Sequence, residues 1–368
     1  MTRRFFCKVL LVAVAIFGLM VLSGVLLAQG RSEEAFERVR EVQERNTDRL
    51  MAKEGVEGTA IGYNQNDRLA IKVFTAGPGV AGIPQELDGV PVQVVVTGKF
   101  YALEPGKGKG GPPEGKGPGD KGGKKVNPKK HLDRPVPIGV STGNEGECSA
   151  GTIGCRVIDS GGAVYALSNN HVYALENTAP IDSRVLQPGT YDAKPPCAVK
   201  SGDVIGTLSD FEPIVFSTEA NNTIDAAIAT VTFDDFDGDG TNELAVGNAT
   251  PDDGYGIPMS SPVAAELDQL VKKYGRTTRL TSGVITGISV TVNVIYSSGT
   301  ARFVDQITIG GGSFSADGDS GSLIVTQDGN NPVGLLFAGS SIMTVANPID
   351  AVLSRFGVTV DDTPPPQE

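Results

Sequence analysis

Three residues of this chain have the types that activate a hydroxyl group, and each lies in a distinctive sequence context. Ser320 lies in Gly-Asp-Ser-Gly-Ser, His171 ends Ser-Asn-Asn-His, and Asp225 begins Asp-Ala-Ala-Ile. A serine hydroxyl is a weak nucleophile until an imidazole accepts its proton, and a buried carboxylate holds that imidazole in the required tautomer. In chain order, His171, Asp225 and Ser320 therefore supply a base, an orienting group and a nucleophile.

The chain has two histidines, so imidazole chemistry has two candidates. His131 lies in Lys-Lys-His-Leu-Asp, directly after a segment rich in Gly, Lys and Pro, which is a poor setting for a rigid site. His171 follows the apolar run 163–167, which is typical of a strand. On its position alone, His171 is equally consistent with a structural role and with a catalytic role. The contexts of Asp225 and Ser320 favour His171 as the base.

The three segments together resemble the trypsin/chymotrypsin-like serine peptidases, in particular a bacterial trypsin-like branch with few cysteines. Gly-Asp-Ser-Gly is short and matches by chance, but the ordered set is more specific, with 54 residues from His171 to Asp225 and 95 from Asp225 to Ser320. The resemblance covers about residues 135–358. It implies a mostly β fold with two six-stranded antiparallel barrels and the catalytic residues in the cleft between them.

The resemblance also assigns roles around the nucleophile. It implies an oxyanion hole made by the backbone N–H groups of Gly318 and Ser320, with Asp319 anchoring the loop. No activation sequence of the Ile-Val-Gly-Gly type precedes the barrels, so pairing of Asp319 with a newly freed N-terminus is not expected. Residues 333–340 would line the primary specificity pocket. Phe314 stands where trypsin has an acidic residue, which favours an apolar or small side chain in the substrate.

The sequence therefore predicts an exported serine endopeptidase that forms an acyl-enzyme and needs no cofactor for catalysis. Two alternatives stay open, namely a catalytically silent peptidase-like binding protein and an esterase with the same triad. The expected partner is a protein or peptide substrate. Nucleic acid is excluded as a partner because the net charge is −12 and the isoelectric point is near 4.8.

A separate acidic segment between Asp225 and Ser320 has the composition of a structural calcium loop. Alternating carboxylates with intervening glycines can wrap a hard cation that takes six to eight oxygen ligands. The segment resembles the calcium loops of integrin-type and dockerin-type repeats, but it departs from the EF-hand pattern because its twelfth position is Val246. The alternative is a solvated acidic turn. The candidate ligands are Asp235, Asp237, Asp239, Thr241 and Glu243.

The N-terminus, residues 1–29, has the pattern of an export signal. Basic residues precede an apolar run at 9–28, as in a secretory signal. That run is also long enough to span a bilayer if it is not cleaved. We expect a secreted or cell-surface protein, with membrane contact only if this segment is retained as an anchor.

Composition divides the rest of the chain into four parts. Residues 31–104 combine a charged helix-like segment with strand-like runs and form a small α+β module. Residues 105–132 are rich in Gly, Lys and Pro and predict a flexible linker. Residues 133–360, with many short apolar runs between turns, form the expected peptidase domain. The Pro-rich tail, residues 361–368, is expected to be disordered.

Cysteine pairing is left open by the sequence. Export permits a disulfide, and Cys148, Cys155 and Cys197 lie outside the N-terminal segment. Cys148 and Cys155 flank a hairpin-like segment and are one candidate pair. In the resemblance, a bridge between Cys155 and Cys197 would fasten the histidine loop. Sequence alone does not decide between these pairings.

Overall fold

The computed structural model of the protein describes residues 33–103 and 126–363. The predicted signal segment, most of the predicted linker and the last five residues lie outside these ranges. Strands dominate the described chain, and the predicted mostly β class is confirmed. Within the described residues, no helix is long and apolar enough to cross a membrane.

The elements are numbered in chain order. The N-terminal part contains helix α1 (33–51) and strands β1 (Val56–Tyr63), β2 (Leu69–Thr75), β3 (Glu86–Leu87), β4 (Val90–Val96) and β5 (Phe100–Ala102). The middle part contains β6 (Ser141–Asn144), β7 (Gly151–Thr152), β8 (Cys155–Asp159), β9 (Val164–Ser168), helix α2 (Asn170–Tyr173), β10 (Arg184–Leu186), β11 (Val204–Phe211), β12 (Ala227–Val231), β13 (Phe233–Asp234) and β14 (Glu243–Leu244). The C-terminal part contains β15 (Leu270–Gly275), β16 (Arg279–Ile295), β17 (Thr300–Gly310), β18 (Leu323–Thr326), β19 (Pro332–Gly339), β20 (Met343–Pro348), helix α3 (Ile349–Phe356) and β21 (Val358–Val360).

Two large, mainly antiparallel sheets stand where the two barrels are expected. The first has the order β21-β8-β9-β12-β11-β10-β6-β7, and the second has the order β15-β18-β19-β20-β17-β16-β1-β2-β4-β3 with β5 attached to β16 and β19. One apolar cluster contains residues of both sheets, including Leu167 of the first and Leu335 of the second. The main core therefore lies between the two sheets, and the site lies at their junction.

Strand β19 shows how sequence determines position in the sheet. All eight of its residues are buried, and it pairs with β18 on one side and β20 on the other. A continuous apolar run of this length suits a central strand that is covered on both faces. The segment predicted to line the specificity pocket therefore lies in the middle of the second sheet.

The N-terminal module shares a sheet with the peptidase-like body. Strand β1 pairs antiparallel with β16, with Gly58 opposite Val292. Helix α1 covers this extension with Val42 and Leu50, which join the apolar cluster of β1 and β2. The module extends the second sheet because β16 is seventeen residues long and offers backbone groups that β1 can pair with.

Both disulfide pairings considered from the sequence are wrong. The bridge joins Cys148 to Cys197 across a separation of 49 residues, and Cys155 is a free thiol. Cys155 begins strand β8, and its side chain is fully buried in the core between the sheets. Burial raises the pKa of this thiol because the charged thiolate is poorly solvated there. The Cys155 side chain points into the core from strand β8, so it does not reach Cys148 or Cys197.

Residues 126–132, the end of the predicted linker, pack against the body. The backbone carbonyl of Lys130 accepts a hydrogen bond of 2.7 Å from Gln187 Nε2. His131 Nδ1 lies 2.8 Å from Asp203 Oδ1, while its side chain remains half exposed. His131 is thus held at the surface by a carboxylate, in a firmer setting than the neighbouring composition indicates.

Candidate active site

The structure brings His171 and Asp225 together. Strand β9 ends at Ser168 and short helix α2 follows, which turns His171 inward, while Asp225 lies just before strand β12. His171 Nδ1 lies 2.5 Å from Asp225 Oδ2, and the His171 backbone N–H donates a bond of 3.2 Å to Oδ1 of the same carboxylate. Both side chains are fully buried. The carboxylate therefore fixes the ring position and places a proton on Nδ1, which is the tautomer that a base at Nε2 requires.

Two further residues hold Asp225, and sequence reasoning missed both. The Tyr296 hydroxyl donates a bond of 2.8 Å to Asp225 Oδ2, and its ring packs edge-on against the His171 ring at 5.9 Å between centroids. Asn347 Oδ1 accepts a bond of 3.1 Å from the Asp225 backbone N–H. Asn347 lies in β20 and Tyr296 directly follows β16, so residues of the second sheet and of its flank hold Asp225. No local motif marks either residue.

Ser320 lies on a turn that is tied to the strand leading to His171. The Thr152 backbone N–H donates a bond of 2.8 Å to the Ser320 carbonyl, and Ser168 Oγ donates a bond of 2.8 Å to the Thr152 carbonyl. Gly321 has a φ of +92°, and a Cβ there would meet Ser168 Oγ at 2.2 Å. Glycine is therefore required beside Ser320. These contacts bring the segments of all three predicted catalytic residues to one junction.

The backbone of Gly318, one of the two predicted oxyanion-hole donors, has a conformation that favours glycine. Its φ is +92°, and a Cβ would lie 2.2 Å from Arg276 Nη1. Two bonds of 2.5 and 2.6 Å to Asp192 hold that guanidinium in place. The Gly318 N–H donates a bond of 2.8 Å to the carbonyl of Leu103. A peptide carbonyl thus already occupies the donor predicted for the oxyanion.

Asp319 anchors the turn at 318–321, called the nucleophile turn after the predicted role of Ser320, by pairing with a buried lysine. Asp319 Oδ2 lies 3.3 Å from Lys273 Nζ and accepts a bond of 2.6 Å from Thr278 Oγ1. Asp319 Oδ1 accepts a bond of 2.8 Å from the Thr277 backbone N–H. Burial lowers the pKa of Lys273, and the adjacent Asp319 charge opposes that effect. Lys273, which sequence reasoning placed in a structural strand and turn, supplies from within the chain the cation that Asp319 requires.

The segments predicted to form the specificity pocket are apolar and buried. Phe314 is buried, with its ring centroid 5.8 Å from Lys273 Nζ. Ser315 Oγ and Thr344 Oγ1 lie 2.5 Å apart and share a hydrogen bond. The apolar cluster that contains Phe314 also contains Leu336 of strand β19 and Leu103.

The acidic segment forms the loop of a short hairpin, β13–β14. Asp235, Asp237 and Asp239 each offer a carboxylate oxygen, and these atoms lie within 4.8 Å of one another. Thr241 donates its backbone N–H to Asp239 Oδ1 at 2.7 Å, and Glu243 stands in strand β14 opposite Asp234. Three of the five predicted ligands are therefore grouped closely enough to share one cation.

Known proteins show similarity to this chain at two levels. No family model matches it. Glutamyl endopeptidase 2 of Streptomyces griseus is 34% identical over 107 residues, which are 28% of this chain and 53% of that protein. The chain thus spans about half the length of this curated relative. The match confirms the predicted resemblance to bacterial trypsin-like serine peptidases.

Several solved structures align with part of this chain. A glutamic acid-specific serine protease, described as using a novel histidine triad in substrate binding, has a TM-score of 0.42 at 23% identity, over 61% of this chain and 100% of that one. Thermobifida fusca protease A has a TM-score of 0.42 at 17% identity, over 62% and 100% of the two chains. The chymotrypsin of Cellulomonas bogoriensis has a TM-score of 0.39 at 20% identity, over 62% and 99%.

Proposed function

We propose that this protein is an exported serine endopeptidase that hydrolyses peptide bonds through an acyl-enzyme. The observation that carries the proposal is the buried contact of 2.5 Å between His171 Nδ1 and Asp225 Oδ2, at the junction where Ser320 lies on its turn. The similarity to an endopeptidase supports a peptide substrate. The apolar N-terminal sequence supports export.

In the proposed mechanism, His171 Nε2 removes the proton of Ser320 Oγ while that oxygen attacks the substrate carbonyl carbon. The Asp225 carboxylate stabilises the imidazolium that forms, because it is buried and already bonded to Nδ1. His171 then gives its proton to the leaving amine, and the acyl group remains on Ser320. Water, deprotonated by His171, releases the acid and restores the serine hydroxyl.

The negative charge on the attacked oxygen needs donors that are fixed before the reaction begins. The backbone N–H groups of Gly318 and Ser320 are the proposed donors. Gly318 is held against Arg276, and the whole turn is fixed by the buried pair of Asp319 and Lys273. Such preorganised donors stabilise charge strongly because they pay little reorganisation cost during the reaction.

Single substitutions of the two histidines test the proposed base. We expect His171→Ala to lower kcat/KM for a peptide substrate by a factor on the order of 10⁶, as loss of a triad histidine does. His131→Ala is the matched control, because His131 is surface-exposed and bonded to Asp203. Its expected effect on kcat/KM is less than about twofold. Equal losses in the two variants would contradict the assignment of His171.

Comparison of peptide and ester substrates separates the endopeptidase from the two alternatives. An endopeptidase cleaves an internal bond of an unstructured polypeptide as well as simple esters. Turnover of esters alone would indicate an esterase with the same triad. Failure to turn over either substrate, with unfolding behaviour intact, would indicate a peptidase-like binding protein.

We also propose a structural calcium ion at Asp235, Asp237 and Asp239, with Thr241 and Glu243 as further ligands. The support is the grouping of three carboxylate oxygens within 4.8 Å, because a hard divalent cation would relieve their mutual repulsion. The loop follows strand β12, away from the nucleophile turn in sequence, so the ion would stabilise the fold and take no part in catalysis.

A further inference from the structure

Strand β5 of the N-terminal module pairs with β19, the strand predicted to line the specificity pocket. It runs antiparallel to β19, with Ala102 opposite Ala338 and Tyr101 opposite Gly339. On its other side it pairs with β16, where Phe100 is opposite Val294. Addition of an extended strand to a sheet gives affinity through main-chain bonds and specificity through the alternate side chains. Strand β5 has the main-chain pairing, and Phe100 at its start is buried.

The residue after β5 places its backbone at the proposed catalytic groups. The Leu103 N–H donates a bond of 3.3 Å to the Phe337 carbonyl, and the Leu103 carbonyl accepts the bond of 2.8 Å from the Gly318 N–H. Ser320 Oγ donates to the same Phe337 carbonyl at 3.1 Å. The Leu103 carbonyl is therefore held by an oxyanion-hole donor, and the Leu103 N–H shares an acceptor with the nucleophile.

The side chain of Leu103 packs among residues that are expected to line the specificity pocket. It is fully buried and belongs to the apolar cluster that contains Phe314 and Leu336. Its two methyl carbons lie 3.4 and 3.6 Å from the position that a Cβ on Gly339 would occupy. The Leu103 methyl groups therefore pack close to Gly339, and the neighbouring cluster is apolar.

The exposure of the proposed catalytic residues agrees with an occupied cleft. The relative exposures of His171, Asp225 and Ser320 are all 0%. A peptidase that accepts a polypeptide needs its serine and histidine to be reachable. The chain's own residues 100–103 bond to the nucleophile segment and cover it.

We propose that Leu103 is the chain's own first substrate residue, that Ser320 cleaves the Leu103–Glu104 bond within the same molecule, and that the primary pocket selects leucine-like aliphatic side chains. This proposal rests on the proposed peptidase function and deepens it. It also sets the chain apart from its curated relative, whose name indicates glutamyl specificity.

The cleavage uses the proposed mechanism with the chain as its own substrate. Ser320 Oγ attacks the Leu103 carbonyl carbon and loses its proton to His171. The bond to the Glu104 nitrogen breaks, and that nitrogen takes the proton as the new amino terminus. Water then hydrolyses the ester between Leu103 and Ser320, leaving a carboxylate on Leu103 and the hydroxyl on Ser320.

Cleavage at this bond would leave the two fragments associated. The pairing of β1 with β16 and of β5 with β19 does not depend on the linker. The carboxyl end of Leu103 would remain in the cleft as a bound product. Activity on other substrates would therefore rise only as the N-terminal fragment dissociates.

The test is the N-terminal sequence and intact mass of the purified full-length protein and of full-length Ser320→Ala. We expect the wild-type chain to yield a fragment that begins at Glu104, with a cleaved fraction independent of protein concentration. The Ser320→Ala chain should remain intact at this bond. Cleavage at the same bond in both proteins, or a wild-type terminus elsewhere while Ser320 reacts with a fluorophosphonate, would overturn the proposal. The latter result would leave the peptidase function standing.

Substitution of Leu103 tests the proposed selectivity. Leu103→Met preserves volume and should process at a rate within about tenfold of the wild type. Leu103→Glu places an unpaired charge in an apolar pocket and should slow processing by at least about 100-fold. Leu270→Glu is the matched control because Leu270 is 58% exposed, and its processing should equal that of the wild type.

A pair of synthetic peptides keeps the selectivity test independent of folding. Once its N-terminal fragment has dissociated, the processed enzyme should cleave a peptide with leucine before the scissile bond at least about 100-fold faster, in kcat/KM, than the same peptide with glutamate. A preference for glutamate would overturn the proposed pocket while leaving the peptidase function intact. Absence of both peptide cleavage and Ser320 labelling would overturn the peptidase function and, with it, this proposal.

Discussion

The nucleophile turn and the acidic loop are both glycine-rich turns with aspartates, but they are held in opposite ways. In the nucleophile turn, Asp319 bonds to Lys273 and Thr278, more than forty residues away in sequence, and all three are buried. In the acidic loop, Asp235 accepts bonds of 2.8 and 2.9 Å from the backbone of Gly238 and Gly240.

The two turns differ in where the residues that hold them come from. The nucleophile turn depends on the assembled protein, because distant strands supply its partners in a buried setting. The acidic loop is formed by bonds within its own segment and faces solvent, so the rest of the protein fixes it only at its ends. Substitutions should therefore have large effects in the first turn and small effects in the second, unless an ion is bound there.

Removal of the buried cation should produce the largest effect. Lys273→Met leaves Asp319 as an uncompensated buried charge, and we expect the free energy of unfolding to fall by about 3–5 kcal/mol. Urea unfolding measures the change. Lys272→Met is the control, since the Lys272 ammonium bonds only the Gln327 carbonyl among the described contacts, at 2.8 Å. Its expected cost is about 1 kcal/mol. Equal costs would mean that the buried pair does not hold the nucleophile turn.

Matched glycine substitutions compare the two turns directly. Gly318 and Gly238 both have positive φ values, +92° and +79°. Gly318→Ala adds a clash with Arg276 Nη1 and should lower kcat by about 10²–10³-fold through displacement of the oxyanion donor. A Cβ at Gly238 meets no atom within 4 Å, so Gly238→Ala should cost about 1 kcal/mol of stability and leave kcat unchanged. Loss of kcat in both variants would remove the distinction.

Calcium is expected to give the smallest effect. A bound ion would make the acidic loop depend on more than the bonds within its own segment. Binding to the folded form stabilises it by about 2.7 kcal/mol at a hundredfold excess of free ion over Kd. Chelation should therefore lower the melting temperature by several degrees, and Asp237→Ala should abolish that sensitivity. Asp252→Ala, an exposed aspartate outside the loop, should keep it. An unchanged wild-type melting curve with chelator and with millimolar calcium would identify a plain acidic turn.

Sequence patterns predicted the parts of the site that depend on local chemistry. Ser320, His171 and Asp225 were identifiable because each lies beside a strand-like apolar run and within a short motif. Helix α3 and the buried strand β19 likewise follow from local periodicity and apolar runs.

The remaining parts depend on contacts between residues distant in sequence. Tyr296 and Lys273 reach the site because strands β15 and β16, which carry them there, belong to the second sheet. The pairing of Cys148 with Cys197 depends on which side of β8 faces the core, which removes Cys155. The place of Leu103 depends on pairing between β5 and two strands far along the chain. No single segment encodes such relations.

Covalent labelling by a fluorophosphonate tests the proposed catalytic assembly most directly. The probe reacts with a serine only when a neighbouring base activates it, and mass spectrometry identifies the modified residue. We expect the wild-type protein to be labelled at Ser320 once its N-terminal fragment has left the cleft, and Ser320→Ala to be unlabelled while still folded. Equal labelling of wild type and Ser320→Ala would contradict the assignment of Ser320 as the nucleophile.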